Sequence, residues 1–330
     1  MTRLLIYAPS AARIDAQLAA HAPKLELVLV DESGGLSLNG QPVTPETAGV
    51  DIAWANNDVF ESPAAGRFIS AAMKSTGLVW LQSAGAGYDH PVFAQFVARG
   101  VRLTTSHGQA IGMSEYILSQ VLDHFQHGPK RRAAQAAKTW DRLPFVEIMD
   151  SDWVIVGFGA IGQAVAQRAR AFGARITAVR RRQELHPLAD RLVSPEELAS
   201  VLPAADAVIL CMPLNPASRH IAGPEFFAAM KPGSILVNVG RGGLVDEPAL
   251  LAALERGAPG HAALDVFETE PLPTDSPFWH HPAVTLTAHA SGLTRGQDSR
   301  NEALFVDNLA RFLAGAPLLN EVSAAEVLAT

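Results

Sequence analysis

Three polar side chains in the second half of the sequence, Arg241, Glu270 and His289, are of the types that proton-coupled chemistry at a carbonyl needs. A guanidinium can grip a carboxylate in two-pronged fashion and polarise a neighbouring carbonyl oxygen. An imidazole can exchange a proton with that oxygen near neutral pH. A carboxylate beside the imidazole orients the ring and favours its charged form. Each residue also has a plain alternative: a loop arginine in Asn238-Val239-Gly240-Arg241-Gly242-Gly243, a surface acid in Asp265-Val266-Phe267-Glu268-Thr269-Glu270-Pro271-Leu272-Pro273, and a hydrogen-bonded structural histidine in Thr285-Leu286-Thr287-Ala288-His289-Ala290-Ser291-Gly292. Their position weighs against those alternatives. Each follows a short apolar run, so each falls at the carboxyl end of a strand, where an open parallel sheet holds its ligands.

All three lie downstream of Gly157-Phe158-Gly159-Ala160-Ile161-Gly162, which follows the apolar run Val154-Ile155-Val156 and opens a helical pattern. Gly157 suits a sharp turn out of a strand. Gly159 lets a pyrophosphate approach the backbone, and Gly162 lets the helix pack on the strand. The phosphates then meet the unpaired N–H groups of the helix start. Glycine turns are common, but strand before and helix after is the context a dinucleotide site requires, so residues 157–162 are expected to bind one. In an NAD site an acid ends the next strand, about 20 residues on, and grips the ribose 2′-hydroxyl. Here that strand ends in Val179-Arg180-Arg181-Arg182, with no acid until Glu184. Guanidinium groups pair with a 2′-phosphate, so NADP is expected as the preferred cofactor, with residual use of NAD. The plain reading is a solvated basic patch.

Around these residues the chain reads as alternating strands and helices, which means parallel sheets covered on both faces. Strand-like runs are Leu4–Tyr7, Leu25–Val30, Ile52–Trp54, Leu78–Leu81 and Val101–Leu103, with a helical pattern over Ala11–Ala20. Gly34-Gly35 and Asn39-Gly40 mark a hairpin-like excursion. A helix is expected over Ala110 to Gln126, read as lying between domains, and the plain reading of Trp140, in a loop before the central strand, is packing. After it come the strand Val154–Val156, the helix Ala160–Phe172 and the strand Arg175–Val179. Further strands are expected at Ala207–Leu210, Ile235–Val239, Ala262–Leu264 and Val284–Thr287. Helices are expected to begin near Ser194-Pro195-Glu196-Glu197 and Asp246-Glu247-Pro248, and a last one to run over Asn301–Leu313. The loop Gln82-Ser83-Ala84-Gly85-Ala86-Gly87 exposes backbone amides that could hold an anion, but alone it reads as an ordinary glycine turn.

Composition sets the outer limits. The 330 residues are 48% hydrophobic and 18% charged, an ordinary soluble composition long enough for about two domains. A net charge of -7 argues against a nucleic-acid or anionic-membrane surface. One cysteine rules out an internal disulfide and a multi-cysteine metal site, and no metal is expected. Cys211, inside an apolar run, reads as a small buried hydrophobe. The apolar runs are too short to span a bilayer, and the opening Arg3-Leu4-Leu5-Ile6-Tyr7-Ala8 reads as a strand rather than a secretory segment, so a cytoplasmic protein is expected.

With these motifs in place the sequence resembles the D-isomer-specific 2-hydroxyacid dehydrogenases, a family that includes glyoxylate/hydroxypyruvate reductases, D-lactate dehydrogenases and phosphoglycerate dehydrogenases. The resemblance covers nearly the whole chain and is strongest from Val154 to Gly292, through the glycine fingerprint, Cys211-Met212-Pro213-Leu214-Asn215, Asn238 to Gly243, Leu264 to Pro273 and the His289 segment. It implies an α/β protein of two doubly wound parallel-sheet domains, a Rossmann domain inserted in a flavodoxin-like substrate domain. The substrate domain would be residues 1–104 completed by 293–330, and the dinucleotide domain 105–292. It implies Arg241 as the substrate-orienting cation, Glu270 as partner of the histidine, and His289 as acid/base. It reverses the reading of the Ala84, Gly85, Ala86 and Gly87 loop, whose amides would bind the substrate carboxylate together with Arg241 and His289. It puts Asp265 near the nicotinamide and adds Met212, Pro213, Val239, Gly240, Ser291 and Gly292 to the cofactor contacts. A homodimer built through the dinucleotide domain is implied as well. The family often has Pro before the histidine, where this chain has Ala288. The reaction implied is reduction of a small 2-keto acid to a D-2-hydroxy acid. Side chains facing C3 of that substrate are expected among Trp54, Tyr88, Trp140 and Phe278, from this chain or from a neighbouring subunit. Some relatives are transcriptional corepressors that use the dinucleotide as a signal, a reading that does without a proton donor; the complete Arg241, Glu270 and His289 set favours the enzyme. Formate dehydrogenase is disfavoured, because formate oxidation needs no proton relay.

Overall fold

The computed structural model describes residues 1–181, 184 and 186–328. The chain folds into two compact units. One is Met1–Gln109 together with the chain from Thr294 onward; the other is Ala110–Leu293. The first division thus falls a few residues beyond the expected 104, the second almost at the expected 293. Among the described residues no helix is long and apolar enough to cross a membrane.

The first unit carries strands β1 (Thr2–Tyr7), β2 (Leu25–Val30), β3 (Leu36–Leu38), β4 (Gln41–Val43), β5 (Ile52–Ala55), β6 (Trp80–Ser83) and β7 (Arg102–Thr104). The sheet runs Glu321–Val322, β7, β6, β5, β1, β2, β3, β4. Its central five strands are parallel, in the order that flavodoxin-like sheets adopt. The sheet is not wholly parallel, however. β3 and β4 add as an antiparallel hairpin at one edge, and Glu321–Val322 adds antiparallel at the other. The hairpin turns on Asn39 and Gly40, whose φ values of 53° and 76° are those of a tight two-residue hairpin turn. β6 begins and ends two residues later than expected, so Gln82 and Ser83 belong to the strand.

Two helices also differ from their patterns. The expected helix over Ala11–Ala20 is broken into Ala8–Arg13 and Asp15–Ala19, because Ile14 leaves helical geometry and buries its side chain against Leu4, Ile6 and Trp54. The last helix is Arg295–Leu313, starting well before Asn301. Its early buried positions are polar, Gln297 and Asn301, which hides the apolar period from the sequence. This helix closes one face of the first sheet: Phe305 stacks on Trp54 at 4.3 Å, and Phe312 on Trp80 at 5.4 Å.

The second unit is a single parallel sheet. Its strands are β8 (Asp152–Val156), β9 (Arg175–Val179), β10 (Arg191–Val193), β11 (Ala207–Leu210), β12 (Ile235–Asn238), β13 (His261–Leu264) and β14 (Val284–Leu286). The order β10-β9-β8-β11-β12-β13-β14 is the Rossmann order with one added strand. Val156, Leu210, Asn238, Leu264 and Leu286 pair side by side across five strands. The loops that begin at Gly157, Cys211, Val239, Asp265 and Thr287 therefore leave the sheet from one row. Helix Ala110–Phe125 packs on helix Ala160–Ala171 and buries Met113, Ile117, Val121 and Phe125 against the sheet. The segment after Ser194 is a short 3-10 helix, Pro195–Ser200, with the Glu197 carboxylate accepting the Ser194 N–H at 2.9 Å.

Candidate active site

The glycine turn is built as its residue types require. Gly157 has φ +99°, and a Cβ there would sit 2.8 Å from the backbone nitrogen of Met212. A Cβ on Gly162 would sit 2.3 Å from the Gly157 carbonyl oxygen, so only glycine lets helix Ala160–Ala171 start this close to β8. Gly159 differs: a Cβ there would meet nothing within 4 Å. The close-packed glycines shape the turn, while the middle one faces open space beside the first N–H groups of a helix. That arrangement fits a pyrophosphate. Phe158 is buried, with His186 edge-on to its ring at 5.5 Å. Arg180 directly follows β9 and is half-buried, Arg181 is exposed, and Arg182 lies outside the described residues. Arg180 and Arg181 thus stand at the end of β9, where the sequence has no acid until Glu184.

Cys211 donates its Sγ–H to the Gly157 carbonyl at 3.0 Å. It keeps some exposed surface, yet dense packing pushes the thiol up to about 12, so it is a neutral donor rather than a nucleophile. Met212 and Pro213 line the next loop, where the Ser218 hydroxyl caps the Pro213 carbonyl at 3.0 Å. The Val239 side chain belongs to the core, so any cofactor contact there is through backbone.

Arg241 sits on an extended backbone just after β12 and is fixed from beneath by Asn238. Asn238 is fully buried; its Nδ2 donates to the Arg241 carbonyl at 2.9 Å and its Oδ1 accepts the Gly240 N–H at 3.1 Å. The Arg241 guanidinium donates to the Gly240 carbonyl at 2.8 Å. This buried amide folds the loop so that Arg241 faces a pocket of about 240 Å³.

Glu270 and His289 line the same pocket. Glu270 Oε2 lies 2.8 Å from His289 Nδ1, and Oε1 accepts the Phe267 N–H at 3.0 Å. With Nδ1 held, Nε2 is the nitrogen left for a substrate. His289 has φ 50°, a left-handed backbone that costs a side-chain-bearing residue about 1–2 kcal/mol. The turn is compensated by Asp265, which is 1% exposed. The Asp265 carbonyl accepts the His289 N–H at 2.8 Å. Its carboxylate accepts the Thr287 hydroxyl at 2.6 Å, the N–H groups of Ala290 and Ser291, and the Ser291 hydroxyl. Asp265 thus builds the His289 loop, and Ser291, expected at the cofactor, has its hydroxyl turned inward onto that carboxylate. Gly292 follows, half-buried.

In the first unit the Ala84–Gly87 loop follows β6. Only part of it can bind an anion. The Ala84 N–H donates to Ala55 and the Gly85 N–H to Ser83 Oγ, so among the described residues the amides without a protein acceptor are those of Ala86 and Gly87. Two of the expected substrate-facing aromatics are placed elsewhere. Trp54 is stacked in the core and Phe278 is buried against Phe267 at 5.9 Å. Trp140 is 95% exposed on its own unit. Tyr88 is half-buried against the core of the first unit. Sequence reasoning missed Thr287 and Tyr116. The only signal was a polar residue closing the apolar run of β14, and a phenol among the apolar side chains of helix Ala110–Phe125.

Comparison with known proteins adds to this geometry. The model of the D-isomer specific 2-hydroxyacid dehydrogenase NAD binding domain matches residues 118–291. D-3-phosphoglycerate dehydrogenase of Bacillus subtilis (strain 168) is 31% identical over 253 residues, 76% of this chain and 48% of that protein. Glyoxylate/hydroxypyruvate reductase B of Escherichia fergusonii is 42% identical over 163 residues, 49% of this chain and 50% of that protein. The chain thus spans about half the length of these two curated relatives. A crystal structure of an NADPH-dependent glyoxylate/hydroxypyruvate reductase from Sinorhizobium meliloti, in complex with NADP and sulfate, superimposes with a TM-score of 0.78 at 25% identity, covering 99% of this chain and 100% of that one. The match to the family model takes in more than half of the 330 residues and includes Arg241, Glu270 and His289, and on that ground the chain belongs to the D-isomer specific 2-hydroxyacid dehydrogenase family.

Proposed function

We propose that this chain reduces a small 2-keto acid to the D-2-hydroxy acid, with NADPH preferred over NADH. The observation that carries the reading is the convergence of Arg241, Glu270 and His289 on one pocket, with His289 Nδ1 held 2.8 Å from the Glu270 carboxylate. The chemistry drawn from the coenzyme is a hydride for C2 of the substrate. The chain's own residues do the rest. Arg241 holds the substrate carboxylate. Arg241 polarises the keto oxygen. Protonated His289 gives its Nε2 proton to that oxygen as the alcohol forms, and Glu270 keeps the charged ring in place. Glyoxylate and hydroxypyruvate are the first substrates to try, by similarity to the reductases named above.

The preference for NADPH is supported by Arg180 and Arg181 at the end of β9, guanidinium groups of the kind that pairs with a phosphate. A homodimer through the second unit is part of the proposal, supported by Trp140, Phe145, Val146 and Met149, large apolar side chains exposed near one another in the sequence. A cytoplasmic location completes it.

The test is His289→Ala, assayed by loss of NADPH absorbance with a panel of 2-keto acids. Turnover falls by about a hundred to ten thousand, while NADPH binding stays nearly intact. Turnover equal to that of the unaltered protein overturns the assignment of His289.

A further inference from the structure

Thr287 leaves β14 between two partners. Its Oγ1 lies 2.6 Å from Asp265 Oδ1 and 3.0 Å from the Tyr116 hydroxyl. A threonine hydroxyl has one proton to give, and an ionised carboxylate has none. The Thr287 proton therefore goes to Asp265, and the Tyr116 proton goes to Thr287. The result is a directed chain, Tyr116 O–H to Thr287 O–H to Asp265, ending on the carboxylate around which the His289 turn is wrapped. Charge at the far end strengthens each bond in the chain.

We propose that Tyr116 is a positioning residue for His289, acting through Thr287 and Asp265; this rests on the reductase reading given above. Five features carry it. The Asp265 carboxylate is buried and binds the turn on both sides of His289, at Thr287 and at Ala290 and Ser291. His289 itself is left-handed, so its ring points where the turn dictates. Tyr116 lies on a helix packed against helix Ala160–Ala171, which starts at the glycine turn, so the chain of donors is anchored on the element that begins the cofactor site. Burial holds the Tyr116 phenol above its ordinary range, so it remains a donor at any working pH. The tyrosine also sits early in the first helix of the second unit, while the His289 turn ends just before the chain leaves that unit at Leu293. Tyr116 thus ties together the segments next to both crossings. Phenylalanine would fill the same volume; what it lacks is the single proton that orients Thr287.

The experiment compares the unaltered protein with Tyr116→Phe, Thr287→Val and Thr287→Ser. Hydrogen exchange is followed in the peptide covering 287–293, with kcat and NADPH affinity measured on hydroxypyruvate. Tyr116→Phe and Thr287→Val are expected to exchange that peptide roughly five- to tenfold faster, the effect of losing one net hydrogen bond. Their kcat falls by a similar factor while NADPH affinity stays within about twofold. Thr287→Ser, which keeps the hydroxyl and loses the methyl, restores both readings. Unchanged exchange in Tyr116→Phe and Thr287→Val overturns the proposal, as does Thr287→Ser behaving like Thr287→Val. Exchange is read on the protein alone, so absence of turnover in the unaltered protein sinks the reductase reading and leaves the exchange result to decide the clamp.

Discussion

Glu270 grips its neighbourhood with both oxygens: Oε2 meets His289 Nδ1 at 2.8 Å, and Oε1 takes the Phe267 N–H at 3.0 Å. The second bond pins the carboxylate to the backbone, so the first cannot swing away. Glu270→Gln keeps the shape and an acceptor for Phe267 but removes the negative charge beside His289 Nδ1. We expect kcat for keto-acid reduction to fall about tenfold or more, a loss of about 1.4 kcal/mol, with NADPH affinity unchanged. Steady-state kinetics decide it; an unaltered kcat removes Glu270 from the mechanism.

The three fingerprint glycines should separate cleanly on substitution. A Cβ at Gly162 meets a backbone oxygen at 2.3 Å, whereas one at Gly159 meets nothing within 4 Å. Gly162→Ala is expected to lose stability on the order of 2–3 kcal/mol through overpacking. Gly159→Ala keeps the fold and loses dinucleotide affinity. Thermal melts with and without NADPH distinguish the two; a Gly159→Ala protein that still gains full thermal stabilisation from NADPH would falsify the placement of the pyrophosphate.

Coenzyme choice rests on Arg180 and Arg181. The double change to alanine is expected to weaken NADPH more than NADH, by about tenfold for each 1.4 kcal/mol of phosphate pairing lost. Fluorescence titration with both coenzymes reads the ratio, and equal losses for the two argue against phosphate recognition at this end of β9.

A pair of histidines at the opposite end of the second sheet makes stability pH-dependent. His261 stacks on His124 at 5.4 Å, and its Nε2 lies 3.0 Å from Thr285 Oγ1. Burial, and then the neighbouring His124, pushes the His261 ring down to about 4 from 6.5. His124 is lowered too, chiefly by burial. Asp123 is the nearby charge that opposes both shifts. Between 6.5 and 4 the unfolded chain holds more protons on His261 than the folded one. Stability from the neutral ring is therefore complete above 6.5 and declines as pH falls across that window. At about 1.4 kcal/mol for each tenfold change in proton affinity, the decline approaches roughly 3 kcal/mol. Melting temperatures between these limits should drop in the unaltered protein and drop less in His261→Gln; parallel curves rule the histidine out.

Cys211, with its thiol held up to about 12 and bonded to the Gly157 carbonyl, should resist alkylation. Iodoacetamide at neutral pH is expected to label it far more slowly in native than in urea-unfolded protein. Rapid native labelling would contradict the packing described around it.

Much of this was readable in advance, and the exceptions share a cause. Apolar runs mark β8, β9, β11, β12, β13 and β14, with Thr177 and Thr285 inside two of them, while the short edge strand β10 gave no such signal; Arg241, Glu270 and His289 each follow a marked strand. The glycine turn was legible because steric demands on a backbone leave few residue choices. What sequence did not reveal was polar burial. Asn238, Asp265 and Gln297 are inside; Asn238 is matched within its own loop by Gly240 and Arg241, and Asp265 by Thr287, Ala290 and Ser291 well downstream, and no apolar period signals either. The same effect hid the first turns of helix Arg295–Leu313. Trp54 and Phe278 misled in the opposite sense: large aromatics near a loop looked like a pocket wall, yet they were fillers of the interior.

The last helix and the strand Glu321–Val322 have a consequence for the order in which the protein is made. Phe305, Leu309 and Leu318 complete a layer beneath Trp54 and Trp80, and Asn308 Nδ2 reaches Gln82 at 3.0 Å. The ribosome delivers those residues only after the entire second unit has emerged. The nucleotide-fold half, continuous in sequence, can mature while translation continues, whereas the half that starts the chain must wait, partly uncovered, for its final segment.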